Sequence, residues 1–384
     1  MKYKILIGMV ILLSISMTLT GCLGIEEEII LPTETTLPTS TSPPTQTPLP
    51  SATSTSLPSP TPSQTPLPPP PQEALVQVIP LTGPIASPDA QISGMAWYGD
   101  TLVILPQYPE KNIAQTGAAS VFALSKQDIL DYLSGSLIGP LTPFMLPFQA
   151  PNFASQIPGY EGYEAIAFDG ELVFLTIEAN HQGSMQGFLI SGEIQPDLNQ
   201  IRLDPTSLTE IPLPVQIFNY AYETLLITDG QALTIYEANG TELNPNPSAF
   251  SIERSSLTPN VVDFGNIEYR LTDATALDEN GRFWVMNIFM PIEFWLYTNS
   301  DPLFEKYGQG DTHTEHMNVE RMLELQYDGE SFSLTENEPV QLELIDEFNS
   351  RNWEALVILE DMGFLAMTDT YPETILGFIP FLEN

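Results

Sequence analysis

The larger part of this sequence, residues 73–384, is predicted to be all-β: a β-propeller of five blades. Three observations predict it. One apolar hairpin recurs five times; after each of the first four copies there is room for two further strands; and a lone β-type run, Leu75-Val76-Gln77-Val78-Ile79, precedes the first copy.

The first hairpin reads Ser93-Gly94-Met95-Ala96-Trp97, a Gly99-Asp100 turn, then Leu102-Val103-Ile104-Leu105. The second is Glu164-Ala165-Ile166-Ala167-Phe168, Asp169-Gly170, then Leu172 to Thr176. A weaker copy runs from Glu223 through Asp229-Gly230 to Tyr236. The fourth opens at Asp273-Ala274-Thr275-Ala276-Leu277 and returns through Asn280-Gly281 to Phe283-Trp284-Val285-Met286. The fifth is Glu354 to Ile358, then Gly363 to Met367. An apolar run, a Gly, Asp or Asn turn and a second apolar run make a buried hairpin. Ser120 to Leu124, Gly187 to Ile190 and Glu320 to Tyr327 supply further strands. After the fifth hairpin only Ile375 to Ile379 remains, one strand too few, and the run near 75–79 is expected to close the ring. The repeat gives five blades; its long spacings leave room for a sixth.

Openings of the type Ser-Gly-Met-Ala and Glu-Ala-Ile-Ala, at Ser93 and Glu164, resemble those of the esterase-like phytase-domain propellers of exported bacterial proteins. More loosely they are similar to calcium-dependent lactonase propellers. The resemblance implies a propeller with a divalent metal and ester or phosphoester hydrolysis. No complete catalytic motif carries over, and Ala165 and Ala355 stand where the family's Glu-Gly opening has glycine.

Ahead of the propeller, Lys2 and Lys4 precede an apolar run from Ile5 to about Leu13, the layout of an export signal over 1–21 and too short for a stable membrane span. It ends in Leu19-Thr20-Gly21-Cys22, which looks like the lipobox of bacterial lipoproteins. The resemblance implies cleavage before Cys22 and lipid on its sulfur, placing the protein on the outer side of a cell membrane or outer membrane. Cys22 is the only cysteine, so no intramolecular disulfide is available. Between Cys22 and residue 72 the chain turns to Pro, Thr and Ser, a composition expected to stay disordered. At about 3 Å per residue such a stalk reaches on the order of 100 Å.

All 49 acidic residues follow Cys22, whereas two of the 11 Lys and Arg precede it. A chain of net charge −38 excludes nucleic acid and anionic lipid heads as partners of a basic surface. The start of a hairpin's first strand and the end of its second lie at one edge, so five hairpins around a channel gather those positions at one mouth. The starts are Ser93, Glu164, Glu223, Asp273 and Glu354; the ends include Glu178, Glu237, Asn287 and Asp369.

Crowded carboxylates raise one another's pKa values unless something compensates. Ca²⁺ held by Glu164, Glu178, Glu223, Asp273, Asn287, Glu354 and Asp369 is one solution. Backbone N–H donors, or pairs with Arg270 and Arg351 three residues before Asp273 and Glu354, are the other. His181 is the candidate imidazole base at this mouth. His313 and His316 fall in a polar insertion, Tyr297 to Asn318, expected to be a solvated loop. Three functions fit these residues: binding of a small molecule, glycan or protein; Ca²⁺-dependent hydrolysis of esters, lactones or phosphoesters; and a structural surface role. Sequence does not decide whether the protein is an enzyme.

Overall fold

The computed structural model describes residues 70–382 apart from 88, 114–116, 346–349 and 371–372. Cys22, the signal 1–21 and the linker up to residue 69 lie outside the described residues.

The chain enters at β1 (Gln77–Ile79). The first blade is β2 (Ile92–Tyr98), β3 (Thr101–Pro106), β4 (Ser120–Ser125) and β5 (Phe144–Gln149), in that order outward. The second is β6 (Tyr160–Asp169), β7 (Leu172–His181), β8 (Ser184–Ile194) and β9 (Ile201–Leu203), with β10 (Thr209–Ile211) also paired to β8. A parallel pairing of β5 with β9 joins the outer edges of these two blades. The third is β11 (Leu226–Thr228), β12 (Gln231–Ile235), β13 (Ser248–Glu253) and β14 (Pro259–Asp263). The fourth is β15 (Arg270–Ala274), β16 (Arg282–Phe289), β17 (Val319–Tyr327) and β18 (Phe332–Leu334), with β19 (Val340–Gln341) also on β17.

The fifth blade, β20 (Trp353–Leu359), β21 (Gly363–Thr368) and β22 (Leu376–Pro380), lacks an outer strand of its own. β1 supplies it, pairing antiparallel with β22 through Gln77↔Phe378, Val78↔Gly377 and Ile79↔Leu376. The described residues therefore form a five-bladed propeller closed by an N-terminal strand, as the sequence predicts; the long spacings hold loops and short helices rather than a sixth blade.

Local chemistry explains the hairpins. In the third blade Thr228 pairs with Gln231, leaving Asp229 (φ 44°) and Gly230 (φ 77°) as a two-residue turn with both φ positive. That turn matches the right-handed twist of its strands, and Asp-Gly suits it. Apolar side chains fill the spaces between blades. Ile92, Met95, Ile104, Leu365 and Met367 pack between the first and last blades, and Met286, Ile288, Leu356 and Phe364 between the fourth and fifth. Each such side chain contributes about 1.5–3 kcal/mol when fully buried.

The innermost strands of four blades share a defect that positions the site. Register shifts by one residue in β2 between Ile92 and Gly94, in β6 between Tyr160 and Gly162 and again between Tyr163 and Ala165, in β15 between Leu271 and Ala274, and in β20 between Trp353 and Ala355. The extra residues include Ser93, Glu161, Glu164 and Glu354. A bulge leaves its residue out of the ladder and re-aims the side chain. The small residue after the bulge lets inner strands approach closely: a Cβ on Gly94 would stand 3.3 Å from Ala165 Cα. Four of the five copies accordingly read acid or Ser, then Gly or Ala; the third, which has no bulge, reads Glu223-Thr224.

The insertion after β16 is not a solvated loop. It contains helical turns Pro302–Tyr307 and Asp311–Glu315, and His313 is buried. Burial lowers the His313 pKa, so the ring is read as neutral: Nδ1 donates to Glu73 at 2.7 Å and Nε2 accepts from the Glu320 N–H at 3.3 Å. Glu73, four residues before β1, thus fastens the propeller's entry to the fourth blade.

Candidate functional site

At the strand-start edge the five blades enclose a cavity of about 260 Å³. Glu161, Glu164, Glu178, Glu223, Glu293, Glu354 and Asp369 supply its carboxyl groups; Gln91, Gln107, Asn219 and Asn352 supply amides; Arg270 is the cation. Five residues expected from the repeat, Glu164, Glu178, Glu223, Glu354 and Asp369, meet here.

Asp273, Asn287 and His181 do not, and neither do Ser93, whose Oγ donates to the Tyr163 carbonyl at 2.7 Å, and Glu237. Asp273 lies in the channel wall, 3% exposed, and its carboxylate accepts N–H bonds from Ala274 at 2.8 Å, Leu356 at 2.7 Å and Met95. It stitches the fourth, fifth and first blades together. Asn287 is fully buried within the fourth blade. Its Nδ2 donates to the carbonyls of Glu268 at 2.9 Å and Arg270 at 3.0 Å, and its Oδ1 accepts from Arg321 at 2.7 Å. It holds the backbone from which Arg270 projects. His181 is exposed at the β7–β8 turn and does not line the cavity.

Arg270 organises one half of the mouth. Only 5% exposed, it donates from Nη2 to Glu223 at 3.2 and 3.4 Å and from Nη1 to Glu293 at 3.1 Å and Asn352 at 3.0 Å. Its Nε bonds Glu237 behind the cavity, and Glu354 stands 3.6 Å away. The expected local pair with Asp273 does not form, because the guanidinium reaches across to the second strand-end acid instead. Arg351 likewise bonds Glu320, at 2.7 Å, rather than Glu354.

One cation cannot keep four buried carboxylates ionised. Burial, together with Glu178 and Glu293, pushes Glu237 up to about 8 against the pull of Arg270. Burial, then neighbouring acids, drives Glu354 well above the usual carboxylate range. Glu223 is driven upward too, by burial and by Glu237; we take it as the ionised member because the guanidinium bonds both its oxygens.

The second-blade half has no such partner. Glu164 Oε1 accepts from Gln107 at 3.1 Å, and burial with Glu178 beside it raises its pKa well above the usual range. Among the described residues, buried Glu161 Oε2 meets no hydrogen-bond partner. Among the described residues no hydrogen-bond donor reaches the carboxyl group of Glu178, which is 5% exposed. Burial, then Glu223 and Glu161, pushes Glu178 up to about 8, so it holds a proton at neutral pH.

Among the described residues no three His, Cys, Asp or Glu side chains come together as a metal-binding group, and in the Arg270 half a guanidinium stands where the carboxylates converge.

Sequence reasoning missed Glu161 and Glu293 as mouth residues and named Arg270 only as a local partner of Asp273. Glu161 stands one bulge before Glu164 in the same strand, a signal available in principle. Glu293 comes from the loop after β16, outside any repeat.

No family model matches the chain, and no curated protein matches it by sequence. Solved structures of similar architecture include an α-L-arabinanase of Cellvibrio cellulosa, 10% identical, with a TM-score of 0.40 over 74% of this chain and 88% of that one. A glycosyl hydrolase from Bacteroides ovatus is 9% identical, with a TM-score of 0.40 over 75% and 82%. A GH43 protein of Bacillus licheniformis is 10% identical, with a TM-score of 0.41 over 79% and 59%.

Proposed function

We propose that the acidic mouth binds a small organic cation, an ammonium or guanidinium group, on a propeller tethered outside the cell by lipid on Cys22. One observation carries this reading: Glu178 faces the cavity, nearly fully buried, and among the described residues no donor bonds its carboxyl group. A carboxyl group in that position is costly to bury. An ammonium placed between Glu164 and Glu178 supplies the missing donors and charge, and each charge-assisted bond contributes about 1.5–3 kcal/mol.

Because Glu178 holds a proton that the cation displaces, binding at neutral pH releases protons. Calorimetric titration of the purified protein with n-butylamine and butylguanidine, in buffers of different ionisation enthalpy, tests this. Binding of both with proton release, and none of n-butanol, is expected. Equal binding of butanol, or no binding of either cation, defeats the reading.

A second reading rests on the unlike carboxyl groups sharing the cavity: Glu178 protonated, Glu223 bonded through both oxygens by a guanidinium. Such a pair suits acid–base hydrolysis of an acetal or ester. Turnover of chromogenic glycosides or esters, lost in Glu178→Gln, would put hydrolysis first.

A further inference from the structure

The rim of the cavity is apolar where its wall is acidic. Phe218 is 70% exposed, Ile292 76%, Phe294 74% and Trp295 45%. These residues are interleaved with the lining: Phe218 adjoins Asn219, while Ile292 and Phe294 flank Glu293, so the same turns send polar side chains inward and apolar ones outward.

The rim is also held in place. Pro291–Leu296 is a short 3₁₀ segment kinked at Glu293, Glu293 Oε2 accepts from the Met290 N–H at 3.3 Å, and Tyr220 bonds both Glu293, at 3.2 Å, and the Trp295 side chain. Large apolar side chains gathered beside a cavity mark an interaction surface, and aromatic residues dominate binding energy at such surfaces.

Resting on the cation reading above, we infer that the group entering the cavity is a Lys or Arg side chain of a polypeptide, whose apolar neighbours pack on Phe218, Ile292, Phe294 and Trp295. Charge decides against an anionic membrane, which a chain of net charge −38 repels. Ring geometry decides against a sugar platform: Phe294 and Trp295 meet edge-on at 76°, with Ile292 beside them, and offer no continuous flat face. A free amine fills the cavity and leaves the rim bare. A basic side chain satisfies both, its aliphatic stem crossing the apolar rim while its head meets the carboxyl groups.

The test compares acetyl-Leu-Lys-Phe-amide, its norleucine analogue and n-butylamine, by calorimetry on the full chain. The lysine peptide is expected to bind at least tenfold tighter than butylamine, and the norleucine peptide not at all. Ile292→Ser with Phe294→Ser should remove the tenfold advantage while butylamine binds as before; Glu164→Gln with Glu178→Gln should weaken both ligands. Butylamine binding with no peptide advantage, or an advantage indifferent to the rim, overturns the peptide and leaves the cation reading standing. Failure of butylamine and peptide alike overturns both. Retention of neutral oligosaccharides, or of phosphatidylcholine vesicles, in place of the peptide and dependent on the rim overturns the peptide as well.

Discussion

Glu73 and Glu178 are both buried carboxyl groups in a very acidic protein, and their proton affinities move in opposite directions. Burial, heavier on Glu178 than on half-buried Glu73, pushes both upward and so does not set the opposite signs. Donors do. Glu73 accepts from the N–H of Thr312 and of His313, each at 3.1 Å, from Thr312 Oγ1 at 2.8 Å and from His313 Nδ1 at 2.7 Å. Against the burial that would raise it, these bonds hold its pKa below the usual value. Glu178 has no donor among the described residues and burial carries it to about 8. A carboxylate that the fold completes is architecture; one that the fold leaves incomplete at a cavity is open to a ligand.

The largest test of that distinction removes the cation that completes the other half of the mouth. Arg270→Met leaves Glu223, Glu237 and Glu293 without their guanidinium and should cost about 3–5 kcal/mol, as expected when one partner of a buried ion network is deleted. Chemical denaturation should show the loss to be greater at pH 8 than at pH 5, where the stranded acids can take up protons. A loss independent of pH would mean that packing of the Arg270 stem, not its charge, holds the mouth.

The next effect is the pH dependence of the wild-type protein. Glu178 and Glu237 both rise from the ordinary carboxylate range to about 8 on folding. Between about pH 4.5 and 8 the folded protein binds more protons at these groups than the unfolded chain does, so their contribution to stability falls as pH rises through that window. The combined change is on the order of several kcal/mol. Glu178→Gln should flatten the profile and stabilise the protein at pH 8 while leaving it unchanged near pH 4.5. It should also weaken amine binding, separating the cost of the site from its use.

Glu73→Gln probes the completed carboxylate and should behave oppositely. The variant loses charge-assisted bonds from Thr312 and His313, a penalty of about 1–3 kcal/mol at neutral pH. Because the folded pKa of Glu73 is depressed, its contribution is present above the unfolded value and lost as pH falls, so the penalty should shrink in acid. Amine binding should not change.

How far the sequence foretold this follows the repeat. Five hairpins, the borrowed outer strand and the gathering of Glu164, Glu178, Glu223, Glu354 and Asp369 at one edge all follow from period-2 apolar runs, turn residues and hairpin geometry. What lay outside the repeat was not legible. Glu293 sits on a loop, and the partners of Arg270 come from blades separated by 23 to 82 residues in sequence. Asp273 shows a subtler limit. It occupies the same motif position as Glu164 and Glu354, but the shorter acid meets three backbone N–H groups in the wall, and no pattern in a single sequence distinguishes that from a side chain open to the cavity.

His181 offers the smallest expected effect and the finest test of where the mouth ends. It shares the strand-end edge with Glu178, three residues away along β7, yet it is exposed at the turn opposite Ser184 and outside the cavity lining. A solvated imidazole with no buried contact contributes little, so His181→Ala should leave stability within about 0.5 kcal/mol of wild type. Butylamine affinity and its proton release at pH 7 should also stay unchanged, because the displaced proton comes from Glu178. A shift in proton release on removing His181 would make the imidazole a proton acceptor in the binding step and extend the working mouth outward along β7; an unchanged value fixes its edge at Glu178.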